Sequence, residues 1–269
     1  DGFTVGNNDT VNRDGASSPY VAWCWKAGGG SGSSNEDGSI NTTSTSVSTT
    51  AGFSISKFTG TNSNATVGHG LGAAPTLIII KNLGTTEHWG VGATALNNWN
   101  NYIPLSDADV SYNDATMWND TAPTSTVFSV GTGNITNDQE SMVAYCFAPK
   151  QGFSKFGSYT GNGNADGVFV HLGFRPALII IKRTNSSAWW VLKDGKRSHS
   201  GGNNVNKYIL YPNDDDAEGT DSNHMDLLSN GFKYRDTASA GNASGAPYIY
   251  MAWAEAPFVN SKGVPCNAK

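Results

Sequence analysis

The sequence predicts an all-β protein of tandem β-sandwich modules, jelly-roll or barrel-like, each about 100 residues long and preceded by a partial module. Three observations predict this class. Charged residues make up 14% of the 269-residue chain, against a usual share of about 25%. Gly, Ser, Thr and Asn supply the polarity instead, and these residues favour turns and loops over helices. The stretch 73–81 (AAPTLIIIK) returns as 174–182 (FRPALIIIK) about a hundred residues later. A second signature occurs three times, at 20–25 (YVAWCW), 142–147 (MVAYCF) and 250–255 (YMAWAE).

Three module ends and two beginnings mean that the chain opens in the back half of a module. In residues 1–26, Gly2-Phe3-Thr4-Val5-Gly6 matches the segments around Phe128 and Phe232. Residues 20–25 match the closing strand. Residues 1–26 therefore read as the last two strands of an upstream module. Their front half is expected either on a longer chain or in a neighbour, because an isolated hairpin is marginal in water. Residues 27–50 read as a Gly/Ser/Thr-rich linker. Within it, Gly28 to Ser34 is expected to be flexible and Ser39 to Thr50 to form a polar edge strand.

Residues 51–150 and 151–260 read as two complete modules, followed by a tail at 261–269. Each opens on Gly-Phe-Ser (52–54 and 152–154) and continues to an aromatic-Thr-Gly turn (58–60 and 159–161). The Leu-Ile-Ile-Ile run after Pro75 or Pro176 is too short for a helix and reads as a strand buried on both faces. Trp89 and Trp190 follow, then the paired segments 101–105 and 207–211, then 127–130 and 231–234. Pro149 and Pro257 stop the closing strands by removing an N–H. The modules meet at 149–152 without a linker, which predicts a fixed angle between them.

The repeat also sorts candidate functional residues. Cys24, Cys146 and Ala254 share one position, which reads as a small buried site; the state of Cys266 stays open. Trp23, Tyr145 and Trp253 share another, which reads as core. Unrepeated residues are the better binding candidates: Trp99, Tyr112, Trp118, Trp189, Asn203 and Asn204, with Trp and Tyr as potential anchors, although packing is favoured over ligand contact even for these. None of the five histidines falls in a zinc motif, and His69 lies in a Gly-rich turn. Asp214, Asp215 and Asp216 are weak calcium candidates that lack the spacing of a calcium loop; a solvated acidic loop is favoured. No cofactor, metal or catalytic constellation is expected, and the chain reads as a non-enzyme. With a net charge of −5 and no basic stripe, nucleic acid is excluded as a partner. The apolar runs are far too short to insert in a membrane as helices.

Several segments resemble a known family: 158–163 (SYTGNG), 173–177 (GFRPA), 180–184 (IIKRT), 226–233 (DLLSNGFK), 248–252 (YIYMA), and the terminal 256–258 (APF) with 263–267 (GVPCN). The chain is similar over essentially its whole length to a C-terminal repeat domain, of unknown function, in virion structural and tail fibre proteins of marine and cyanobacterial tailed phages. The resemblance implies a virion location on the tail or capsid exterior. It implies partners among other virion proteins and copies of itself, a trimer by analogy with phage fibres, and a host surface glycan as a target. Host attachment is the leading expectation. A capsid decoration (cement) protein and a carbohydrate-binding module or glycan-degrading enzyme are the alternatives. The family offers no catalytic residues to carry over.

Overall fold

The computed structural model describes residues 2–13, 20–197, 204–220 and 222–255. The fold is an all-β sandwich architecture with several antiparallel sheets. The first module holds β1 (Ser44–Ser48), β2 (Phe53–Thr59), β3 (Ala65–Gly68), β4 (Leu77–Asn82), β5 (Gly90–Ala93), β6 (Asn101–Pro104), β7 (Tyr112–Asn113), β8 (Val127–Val130) and β9 (Ser141–Phe147). The second holds β10 (Ser154–Thr160), β11 (Phe169–His171), β12 (Pro176–Arg183), β13 (Val191–Asp194), β14 (Met225–Leu228), β15 (Gly231–Tyr234) and β16 (Pro247–Ala254). Among the described residues there are four one-turn α-helices: α1 (Asp9–Asn12) ahead of the modules, α2 (Ala115–Trp118) and α3 (Asn134–Asn137) in the first, and α4 (Ser239–Asn242) in the second.

Each module is a large sheet packed on a small one. The large sheets run β1-β2-β9-β4-β5-β6-β7 and β10-β16-β12-β13. The small sheets are β3-β8 and β11-β15-β14. The closing strand is central in both modules: β9 lies between β2 and β4, and β16 lies between β10 and β12. The aliphatic strand of each module, β4 or β12, therefore pairs directly with that module's closing strand.

Successive side chains of a strand face opposite ways, and here both ways are dry. Ile78 and Ile80 enter the first module's core with Phe58, Phe128 and Cys146. Ile179 and Ile181 enter the second with Phe232, Tyr234 and Ala252. The opposite faces meet each other. Leu77, Phe53, Val91 and Phe147 of the first module pack against Leu178, Trp190, Met251 and Trp253 of the second. The expected burial on both faces is thus explained by a third apolar layer between the modules. Trp190 is fully buried there and donates its indole N–H to the Pro104 carbonyl at 2.8 Å. Backbone bonds from Ser111 to Thr184 and from Ala188 to Ala108 stitch the rim. Burying each large apolar side chain contributes about 1.5–3 kcal/mol, so this layer holds the two sandwiches in one arrangement.

The opening segment differs from the expected hairpin. Among the described residues no sheet pairs with Gly2-Phe3-Thr4-Val5-Gly6 or with 20–27. The backbone of 20–27 is nevertheless strand-like in its alternation: Trp23, Trp25 and Ala27 lean on the inter-module layer, while Ala22, Cys24 and Lys26 are exposed. Cys24 is therefore not the buried small residue its repeat position predicts. Cys146 and Ala254 are buried at that position because strands flank them. Gly28 to Ser34 is likewise no free linker. Gly28 bonds Ser46 Oγ at 3.1 Å, Ser33 bridges to Thr45, and a Cβ on Gly28 would come within 2.6 Å of the Val47 carbonyl. The polar edge strand expected in 39–50 is β1, paired to β2.

Candidate binding surface

Two of the aromatic binding candidates belong to the core. Trp99 and Trp118 are essentially fully buried and meet edge to face at 5.4 Å. Asn97, Asn98 and Trp99 adopt left-handed φ values of 50°, 52° and 74°, a conformation that Asn tolerates better than most residues. This tight turn carries Trp99 inward, where its indole N–H donates to Thr94 Oγ1 at 3.2 Å. Trp118 ends α2, whose N-cap Asp114 accepts from the Thr116 N–H. Neither indole can reach a ligand without unpacking the module.

The other two aromatics are on the surface. Tyr112 is 38% exposed, stacks on Tyr102 at 5.5 Å and donates to Asp109 at 2.8 Å, a bond that raises its phenol pKa. Trp189 is 43% exposed and packs on Tyr211 at 5.0 Å. Trp189 and Tyr211 edge a pocket of about 480 Å³ at the seam of the two modules. Ala108 of the first module and Ala188, Asn223 and Ser239 of the second are among the residues that line it.

Beneath that pocket lies Lys182, fully buried at the end of β12. Its ammonium donates to the carbonyls of Ala108 at 2.9 Å and Ala188 at 2.5 Å. Lys81, its counterpart in the first module, makes the same kind of clamp on the carbonyls of Thr85 and Glu87. Burial pushes Lys182 down to about 8 although Asp109 and Asp107 oppose the shift. One ammonium thus fixes two loops from different modules against each other. Asn223, held at φ 57°, keeps Oδ1 without a partner among the described residues. Flat aromatic faces beside amide and hydroxyl groups can stack on a sugar ring and hydrogen-bond its hydroxyls.

The remaining candidates fall elsewhere. Asn204 pairs with the backbone of Leu227, its Oδ1 accepting at 2.9 Å, and so serves the fold. Asn203 lies outside the described residues. Asp214 closes a turn onto the Tyr211 carbonyl and its Oδ1 accepts from the Asp215 N–H. Among the described residues no group of three potential metal ligands converges, at Asp214, Asp215 and Asp216 or elsewhere. His69 is a structural residue: Nδ1 accepts from the Leu71 N–H and Nε2–H donates to the Thr124 carbonyl, and burial lowers its pKa. Trp253 is buried among Trp25, Phe147 and Phe156. Tyr145 and Trp23 are half-buried, the first stacked on Trp89 and the second beneath the Arg197 guanidinium. Tyr211 was missed by the repeat, which aligns it with Leu105; the change from Leu to Tyr was the signal. Lys182 stood in plain view in the repeated strand, but only the fold reveals that its acceptors come from both modules.

A family model described as a domain of unknown function, DUF7483, matches residues 1–257. No curated protein and no solved structure matches the chain.

Proposed function

The chain belongs to the DUF7483 family, and from the build of its modules we propose that it is a structural component of a tailed-phage virion, of the tail fibre or tailspike type, acting in host attachment. The observation that carries the reading is the apolar layer between the two large sheets. It turns two sandwiches into one stiff body, as a load-carrying appendage requires. The sequence resemblance to phage virion proteins supplies the setting. The hydroxyl-rich surface and low charge suit an extracellular particle. The Trp189–Tyr211 pocket is the contact surface for a host glycan, and several weak sites on an oligomer would add by avidity.

The test is imaging of virions that carry a gold-labelled C-terminus on this protein. Label at the distal tail supports the reading. Label spread over the capsid shell overturns it in favour of a cement role.

A further inference from the structure

The exposed opening segment shares one local bond with the back halves of both complete modules and a second with that of the second module, beyond what the sequence signature records. In all three places a one-turn helix ends on an asparagine whose Nδ2 donates to the carbonyl six residues earlier. Asn12 donates to Gly6 at 2.6 Å, Asn137 to Gly131 at 2.6 Å and Asn242 to Asp236 at 2.8 Å. Tyr20 copies a second device. Its hydroxyl accepts from the C-cap N–H of Arg13 at 2.9 Å and donates to the carbonyl of Asp9, the first helical residue, at 2.7 Å. In the second module Tyr248, two residues ahead of the position that the signature aligns with Tyr20, makes the same pair of bonds to Ala243 and Ser239 at 2.8 and 2.7 Å, whereas the first module has Met142 at the aligned position. The helix and its latch are therefore built.

What differs is the other side of the latch. In the complete modules the asparagine Oδ1 accepts from the first N–H after the Thr-Gly turn, Thr61 at 2.8 Å and Asn162 at 3.0 Å. Asn12 Oδ1 has no such partner among the described residues. The turn glycine lies so close to the residue after the asparagine that a Cβ on Gly60 would sit 1.8 Å from the Asp138 carbonyl, and one on Gly161 would sit 2.3 Å from that of Ala243. Phe128, Val130, Phe232 and Tyr234 are fully buried, whereas their counterparts Phe3 and Val5 are 65% and 39% exposed. Among the described residues neither edge of 20–25 has a strand partner, while Trp23 and Trp25 already rest on the inter-module layer that receives Trp253. The whole segment lies inside the family match.

We infer that residues 2–13 and 20–25 form a docking site for the front half of a third module of this same family. That occupant consists of a Gly-Phe-Ser strand, an aromatic-Thr-Gly turn and a Pro-bounded aliphatic strand. The two strands flank 20–25 on either edge, as β10 and β12 flank β16, and the turn seats its glycine over Arg13 and gives its next N–H to Asn12 Oδ1. The occupant's apolar face covers Phe3, Val5, Ala22 and Cys24. The inference concerns how modules join and holds whether or not the particle is a phage fibre.

The test reads Cys24 alkylation in a Cys266→Ser background, with Cys146 as the buried internal standard. A second copy of residues 152–230 is joined ahead of Gly2, which recreates the Leu-Ser-Asn-Gly-Phe junction of the second module. Cys24 labelling is expected to slow by at least ~100-fold as the thiol becomes reachable only through local opening. Asn12→Ala, or Gly161→Val in the donated copy, restores it. As a second measurement, a peptide of residues 152–162 is added to the chain without the extra copy. It is expected to protect Cys24 by strand addition, and the same peptide with Gly161→Val is not. Cys24 labelled at its original rate in both experiments overturns the inference. So does protection of Cys24 in the chain alone that rises with protein concentration alongside a dimer mass, because the occupant is then a second copy.

Discussion

Residues 20–25 and 250–255 carry one strand signature in two settings. In the second, both edges are hydrogen-bonded over most of its length and both faces are dry. In the first, one face rests on the inter-module layer and the other meets solvent. Burial of a repeat position is therefore a property of its neighbours, not of its own residues. Cys24, Cys146 and Ala254 occupy one position, and only the last two are buried. The helix and latch preceding the strand form in either setting, because their bonds are local.

The largest way to break this comparison is chemical. Cys24 should react with a small alkylating reagent at least ~1,000-fold faster than Cys146, whose thiol is enclosed and whose pKa burial raises. Comparable rates, read by mass spectrometry of the two peptides, would erase the distinction. Next, Trp253→Ala should cost about 3–5 kcal/mol in denaturant unfolding, and Trp23→Ala about 1 kcal/mol or less, since Trp23 is packed on one side only. The latch sharpens the contrast further. Asn137→Ala or Asn242→Ala strands several buried backbone groups and should cost about 2–4 kcal/mol, whereas exposed Asn12→Ala should change stability by under about 0.5 kcal/mol.

A smaller effect concerns pH. Burial lowers Lys193 to about 7, so between pH 7 and 10.5 the unfolded chain holds a proton that the folded chain has released. Stability should rise with pH across that window. Lys193→Met should remove that part of the rise, seen as a flatter dependence of melting temperature on pH. Smallest of all, Trp189→Ala should leave unfolding unchanged within about 0.5 kcal/mol. It should abolish any glycan binding detected by titration, because the ring is a rim residue and supports no core.

Much of the fold was legible because the repeat encodes it. The aliphatic runs, the Thr-Gly turns and the closing strands of the two complete modules lie where the pattern puts them, whereas the opening copy at 20–25 joins no sheet among the described residues. The runs also announced burial on both faces, but periodicity carries no information about what covers the outer face, and the answer was the neighbouring module. The site was less legible. Trp99 and Trp118 stand among the binding candidates because they are not repeated, yet a left-handed Asn-Asn-Trp turn folds Trp99 inward, and φ is not written in composition. Trp189 and Tyr112 did prove exposed. The asparagine latch is visible in sequence only as one Asn among many, and its meaning comes from the shared geometry at Asn12, Asn137 and Asn242.

The central claim, one strand signature in two complete settings and one open setting, is tested most directly by amide hydrogen exchange on a single sample. Residues 143–146 and 249–252 should exchange only on global unfolding, and residues 21–24 at close to the rate of an unstructured chain. Protection at 21–24 equal to that of the two central strands would contradict the account.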